Sequence, residues 1–452
     1  MKKSILFLRP YYGFHVHSDA HGELGMRQDN DHVYPDLTLL TAATVLSESG
    51  EYRVTVLDAI TEDRMLPDEL LLKLENESID IVVLKTTGAT LQPDLTLLKE
   101  IHKIKPEADL RIGGLAAKIL KRWLTENASY INEIIEEPLD EYALQLVNKE
   151  VSLKNMPTPD YTMVNYRAYQ DEIKGLRLTL IAGRGCPMHC LYCPYKLYYT
   201  RHEYRDTDMI VDNIRRLIEL EPDEIQFRDQ YFSADTGKVR ELCEKIISQN
   251  LKARIVCETR LSSLDEGLLA LMKKAGVSMI CFGVESGDTS ILKKYQSLKG
   301  ETARIKELVD HARSLGIETM AFYIIGFPEE TREMAQSTYQ LAEYLDTDYV
   351  YFNEYEHCQF DPEHTLYTPE LFPAFANRTS IEYPSVLNAG EREDLVLNFS
   401  HQYAMRKSQS QAYDTGYKKM MNAKEAIRIL HPLVSDLNEL SAAARKIRQG
   451  QV

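Results

Sequence analysis

The chain has 452 residues, 69 of them acidic and 53 basic, for a formal charge of −16, and is 44% hydrophobic. That length suits two or three domains with a sizeable core and excludes wholesale disorder, while the acidic balance speaks against a nucleic-acid partner, whose phosphates need Lys and Arg. No run of about 18 apolar residues offers a membrane span, and the stretch after Met1-Lys2-Lys3 is too short for a secretory signal, so a cytoplasmic protein is expected.

The first 150 residues alternate short apolar runs with helical patterns. Strands are predicted at Ser4–Leu8, Val54–Leu57 and Ile79–Leu84, with a short one ending in Gly113-Gly114. Helical spacing falls at Leu37–Leu46, followed by Gly50 as a stop signal, around Asp68–Leu74, and at Leu95–Ile104. Such alternation implies a doubly wound parallel sheet of about five strands, with ligands at the strand carboxyl ends. Residues 151–175 lose the rhythm, and Pro157 and Pro159 mark a linker. A second alternation follows, with strands at Leu178–Ile181, Glu224–Phe227, Ala253–Cys257, Met279–Gly283, Thr319–Ile325 and Tyr349–Phe352. Strands with helical crossovers suggest a partial parallel barrel over 176–360, its chemistry at the strand C-terminal ends. From 361 to 452 the pattern turns to loop and then helices near 391–412 and 423–447.

Seven cysteines, an odd number in a long chain, do not form a disulfide framework. Three stand together after the first barrel strand, in Gly185-Cys186-Pro187-Met188-His189-Cys190-Leu191-Tyr192-Cys193-Pro194. Three soft thiolates on a Gly- and Pro-punctuated loop can wrap three corners of an iron–sulfur cluster and leave one iron open. The alternatives are buried structural thiols or zinc, which wants a fourth ligand that His189 is awkwardly placed to provide. Cys243, Cys257, Cys281 and Cys358 form no closely spaced pair, which argues against a second cluster.

The C-x-x-x-C-x-x-C spacing with Tyr192 before the last cysteine resembles the motif of the radical S-adenosylmethionine (SAM) superfamily. That resemblance implies a [4Fe-4S] cluster on Cys186, Cys190 and Cys193, with SAM on the open iron and Tyr192 against its adenine. It also implies reductive cleavage to a 5′-deoxyadenosyl radical, a small-molecule substrate, and an electron donor such as flavodoxin or ferredoxin. Strand-end segments similar to the family's carry Asp229, Glu258, Arg260, Glu285, Ser286 and Gly326, expected as SAM or substrate contacts. The first 150 residues resemble a cobalamin-binding domain of the Rossmann or flavodoxin-like kind. There Thr86-Thr87 and Gly113-Gly114 are the loops that would approach a corrin, although Asp36 replaces the usual Gly and the acidic turn has become Glu136-Glu137-Pro138-Leu139-Asp140-Glu141.

Two functional expectations follow from the resemblance. One is cobalamin-dependent methyl transfer to carbon. The other is a cobalamin-independent dehydratase, epimerase or rearrangement enzyme, in which Tyr323, Tyr355 or Cys281 handles a proton or hydrogen atom; a non-enzymatic iron–sulfur regulator fits the strand-end motifs poorly. The segment Phe14–Gly22 is similar to a metal-dependent phosphoesterase motif, and His21 echoes a cobalamin ligand. The favoured reading of that loop of roughly 25 residues is solvated or substrate-facing.

Overall fold

The computed structural model describes residues 2–18, 23–28, 33–170, 175–199, 201–295, 302–355 and 383–408. The N-terminal half runs β1 (Lys3–Arg9), β2 (His15–His17), β3 (Met26–Gln28), α1 (Leu37–Ser49), β4 (Tyr52–Asp58), α2 (Pro67–Glu75), β5 (Ile81–Lys85), α3 (Leu91–Ile104), β6 (Asp109–Gly113), α4 (Leu115–Ile119), α5 (Lys121–Asn127), β7 (Glu133–Ile134) and α6 (Leu139–Leu146). Its sheet is five-stranded and parallel in the order β4-β1-β5-β6-β7. This is the flavodoxin-like winding, whose strand order reverses beside β1 and so opens a crevice between the β1 and β5 carboxyl ends.

α1 shows why the sheet is covered so tightly. Every residue from Thr38 to Leu46 is buried, because the helix lies between the sheet and α6. Each buried leucine there contributes roughly 1.5–3 kcal/mol. Asp36 caps the helix by accepting the Leu39 N–H at 3.0 Å.

The second half runs β8 (Arg177–Leu180), β9 (Gly183–Arg184), α7 (Tyr195–Tyr198), β10 (Glu203–Tyr204), α8 (Thr207–Ile218), β11 (Glu224–Phe227), α9 (Thr236–Ser248), β12 (Ile255–Thr259), α10 (Glu266–Lys274), β13 (Val277–Glu285), α11 (Thr289–Tyr295), α12 (Thr302–Ser314), β14 (Glu318–Ile325), α13 (Arg332–Leu345), β15 (Tyr349–Glu354) and α14 (Ala389–Ser408). Six parallel strands form one sheet, β15-β14-β13-β12-β11-β8, the partial barrel expected from the alternation. The large apolar cluster lies between these strands and their helices, with Ile225, Cys257, Ile280, Phe282, Ala321 and Phe352 among its members.

Two segments differ from expectation. The predicted linker folds into three 3-10 turns, Leu153–Asn155, Tyr161–Met163 and Tyr166–Tyr169, and Tyr161 and Tyr169 are buried. Tyr161 exchanges hydrogen bonds with the Thr179 backbone, so the segment is a packed connector and not a loose tether. The long loop after β1 carries the β2–β3 hairpin, and His15, Val16 and Glu23 in it are buried rather than solvated. The predicted helix at 423–447, Cys358 and His21 lie outside the described residues.

Asp94, in the first turn of α3, is fully buried and takes a 2.6 Å hydrogen bond from Tyr12. Burial pushes its carboxyl up to about 7, against hydrogen bonds from Tyr12, Thr90 and Thr86. An unfolded Asp titrates near 3.9, so the stability tied to the neutral carboxyl is full below about pH 4 and is lost as pH rises through about 7. Asp94→Asn should therefore gain on the wild type between pH 5 and pH 8, by roughly 1–3 kcal/mol. Thermal unfolding at both values tests this; an advantage that is constant or shrinking with pH would refute it.

Candidate functional site

The cysteine loop leaves the barrel after β8 and is held from several sides. Asp229, just beyond β11, accepts the backbone N–H groups of Ala182 at 2.9 Å and Gly183 at 2.5 Å. Gln230 accepts the Gly185 N–H at 2.9 Å. Arg184 reaches across to the N-terminal half, where Asp140 takes both ends of its guanidinium, one at 3.0 Å. On the far side the Leu191 N–H bonds to the Tyr295 carbonyl at 2.8 Å, and the Cys193 N–H closes a turn onto Cys190 at 3.3 Å. Gly185 sits at φ +79°, and a Cβ there would collide with the Arg201 carbonyl, so only glycine fits.

This scaffold presents three free, partly buried thiols at Cys186, Cys190 and Cys193. Burial pushes all three up, Cys193 to about 12, while Arg260 pulls Cys186 and Cys190 back down. Three thiols that lie within one another's field and resist ionising need a strong positive charge among them to become thiolates, and an iron cluster supplies it. They do not form a one-ion site: among the described residues no three His, Cys, Asp or Glu side chains are placed to hold a single metal ion. His189 is exposed and pairs with Lys196, with 2.5 Å between Nδ1 and Nζ, so it is turned away from the zinc role. The residues present fit the [4Fe-4S] cluster that the motif implies.

Beside the thiols, Tyr192 donates to Glu285 Oε1 at 3.0 Å and meets the Phe327 ring edge at 6.2 Å between centroids. Glu285 ends β13 at φ +71°, an uncommon conformation for a side-chain-bearing residue, and burial pushes its carboxyl up to about 7, opposed by Tyr192 and Arg260. Glu258, at the end of β12, is exposed and acts electrostatically on the same carboxylate. Arg260, Gly283 and Ser286 line one cavity, and buried Ser286 holds the turn by accepting the Asp288 N–H at 3.1 Å. Tyr192, Glu258, Arg260 and Glu285 thus lie within electrostatic reach of one another beside the cysteine loop, a set of opposite charges that can meet a zwitterionic ligand, whereas Ser286 turns its hydroxyl to Thr338 of α13 and does not face the thiols.

Other expected residues have different tasks. Both Asp229 oxygens serve the backbone of the cysteine loop, so it positions that loop and does not face a ligand. Tyr323 points away from the barrel interior: it is fully buried, stacked on Phe352 with centroids 5.0 Å apart, in the cluster beneath the helices. Strand alternation is the reason, since its neighbours Phe322 and Ile324 take the other face. Cys281 does face inward, packed with Val256, Met279, Met320 and Phe322. Tyr355 lies in an aromatic cluster with Tyr295, Phe327 and Tyr383, against which Tyr192 packs. The Gly326 N–H donates to Glu330 and its carbonyl accepts from Tyr383, so this strand end is tied up by protein. Thr86, Thr87, Gly113 and Gly114 do stand at strand carboxyl ends, but all four are buried.

Sequence reasoning missed Tyr199, Asp140 and Arg392. Arg392, from α14, is fully buried, bonds Glu354 at 2.6 Å and lies 4.2 Å from the Tyr383 ring centre, so the C-terminal helix seals the barrel beside Gly326. A lone Arg far along the chain carries no local signal of that contact.

The loop geometry makes Gly185 a decisive position. Gly185→Ala should leave the fold intact yet lower iron per chain after anaerobic reconstitution to less than half the wild-type level. Gln230→Leu, which removes a single hydrogen bond, should cost less. Full iron loading of Gly185→Ala would show that the loop is not held as described.

Comparison with known proteins agrees with this geometry. Residues 180–342 match the model of the radical SAM superfamily. The chain is 25% identical over 404 residues to the anaerobic magnesium-protoporphyrin IX monomethyl ester cyclase of Cereibacter sphaeroides, covering 80% of this chain and 66% of the length of that enzyme. It is 31% identical over 207 residues to the cytidylyl-2-hydroxyethylphosphonate methyltransferase of Streptomyces wedmorensis, covering 42% of this chain and 39% of that one. In fold it resembles the radical SAM methyltransferase TsrM from Kitasatospora setae, solved with cobalamin and a [4Fe-4S] cluster bound, with a TM-score of 0.64 at 15% identity over 78% of this chain and 75% of that one. The cysteine loop and most of the six-stranded barrel fall within the stretch that matches the radical SAM superfamily model, so residues 180–342 form a radical SAM domain.

Proposed function

We propose that this protein is a radical SAM enzyme that takes a hydrogen atom from a small-molecule substrate held at the open mouth of the barrel. The observation that carries the reading is the convergence of Cys186, Cys190 and Cys193 with Tyr192, Arg260 and Glu285 at adjoining strand ends. When bound, the cluster and SAM supply reductive cleavage of a sulfonium bond and the 5′-deoxyadenosyl radical that abstracts hydrogen. The protein's part is position and dryness. Tyr192 and Glu285 hold one wall, and Arg260 brings positive charge to the thiolates and to the ligand carboxylate. The Phe327–Tyr355–Tyr383 aromatic cluster keeps water from one flank. Electrons would come from a small redox protein such as a flavodoxin or ferredoxin.

The fate of the substrate radical separates two readings. Methyl transfer to carbon is supported by relatives named as methyltransferases and by the fold neighbour solved with cobalamin. Dehydration, epimerisation or rearrangement without cobalamin is favoured by the burial of Thr86, Thr87, Gly113 and Gly114, the residues expected to meet a corrin.

With dithionite and SAM, reconstituted wild type should release 5′-deoxyadenosine, and the Cys186→Ala/Cys190→Ala/Cys193→Ala variant should release none. Product from the triple variant, or none from fully loaded wild type supplied with candidate substrates, would overturn the proposal. Arg260→Ala should weaken SAM binding about tenfold, the usual effect of losing a hydrogen bond to a charged group; unchanged affinity would remove Arg260 from the site.

A further inference from the structure

Doubly wound sheets bind ligands where the strand order reverses, here between the carboxyl ends of β1 and β5. In this chain the side chains and backbone of the protein itself occupy that crevice. Leu24, from the loop after β1, is fully buried in the same apolar cluster as Leu8, Leu84 and Leu91. Its carbonyl accepts the Gly88 N–H at 2.5 Å. Next to it Gly25 presses its backbone onto Thr87 so closely that a Cβ would lie 2.6 Å from the Thr87 Cβ. Thr86 and Thr87 are left 0% and 3% exposed, too little for any cavity of corrin size to border them. On the other side, Leu139 of α6 lies against Gly113. Above, Tyr198 and Tyr199 of the cysteine loop join the same cluster as Leu24.

Buried charges seal these covers. Lys85, at the end of β5, is 3.0 Å from Asp36 and 3.1 Å from Glu23, with all three side chains almost fully buried. Burial opposes the Lys85 charge, yet Asp36 and Glu23 together hold the ammonium above its ordinary value. Glu23 in turn accepts a 3.0 Å hydrogen bond from Tyr199, and Arg184, bound to Asp140, lies 5.1 Å from the Tyr199 ring centre. Asp36 and Asp140 occupy the stretches where the sequence departs from the cobalamin-binding pattern. The departures therefore have partners: Asp36 answers Lys85, and Asp140 answers Arg184. A corrin in this crevice would have to displace Leu24 and with it Glu23, which would leave Lys85 with Asp36 as its one remaining charged partner and expose the apolar surface that Leu24 covers.

We infer that the crevice in which a corrin would lie is filled by Glu23, Leu24, Gly25 and Tyr199, and that the N-terminal domain acts as a brace for the cysteine loop instead of a cobalamin carrier. The brace half of this inference rests on the radical SAM reading above; the filled crevice does not. A domain that carries no corrin would direct the substrate radical to the cobalamin-independent reading of the reaction.

The test uses the full chain, with its cluster reconstituted anaerobically, incubated with hydroxocobalamin and then desalted. Cobalt per chain should stay at background, and the 5′-deoxyadenosine yield with SAM and dithionite should be the same with and without the corrin. Retention near one cobalt per chain overturns the inference whatever the SAM result. Background cobalt with no 5′-deoxyadenosine upholds the filled crevice while retiring the radical SAM reading. Two variants test the brace. Lys85→Met removes the central charge, and the milder Tyr199→Phe deletes only the hydroxyl that bonds Glu23. With native circular dichroism, Tyr199→Phe should shorten the lifetime of the bound cluster about tenfold, as expected for a lost hydrogen bond to a buried carboxylate. Wild-type cluster lifetime in both folded variants overturns the brace.

Discussion

The seam between the two sheets is governed by one constraint: charges taken out of water there must be paired. Lys85, Asp36, Glu23, Arg184 and Asp140 all lie within it, and each has a partner of opposite sign. Placing such groups in low dielectric costs several kcal/mol apiece before pairing, so the geometry that pairs them is strongly specified. The pairs are not local. Arg184 lies on the cysteine loop and Asp140 on the last helix of the first half, so satisfying them fixes the loop against a second domain.

The cysteine loop inherits its shape from that seam. A run of Gly, Pro and three closely spaced cysteines has little intrinsic preference and no secondary structure of its own to hold it. Hydrogen bonds from Asp229 and Gln230 hold its start, Arg184 anchors it across the seam, and the Tyr295 carbonyl holds its far side. Thiols delivered this way are desolvated enough to resist ionisation alone, which suits a site that binds a cationic cluster. The charged side chains beside the thiols then come from strand ends, where parallel sheets leave their loops free for chemistry.

The buried pairs also decide what occupies the crevice of the first sheet. A five-stranded flavodoxin-like sheet offers a crevice, and a crevice holds whatever packs best in it. Here the loop after β1 supplies an apolar side chain, a glycine that permits backbone contact, and a carboxylate for the lysine at the end of β5. The fold by itself therefore does not fix whether such a domain is a carrier or a structural support.

The sequence by itself determined the alternation of strands and helices, the barrel, and the three thiols, because each rests on short-range signals: period-two and helical apolar spacing, Gly and Pro punctuation, and cysteine spacing. Glu258, Arg260 and Glu285 were legible for the same reason, standing immediately after predicted strands. Which face a strand residue takes was less so: Tyr323 and Cys281 both read as available, and only the register of β13 and β14 put Cys281 inside and Tyr323 beneath the helices. Asp36 and the altered turn at Glu136–Glu141 read as losses in the sequence. Tertiary structure alone decided that they are replacements, because their partners Lys85 and Arg184 lie 49 and 44 residues away, and a buried ion pair leaves no trace in the local pattern of either residue.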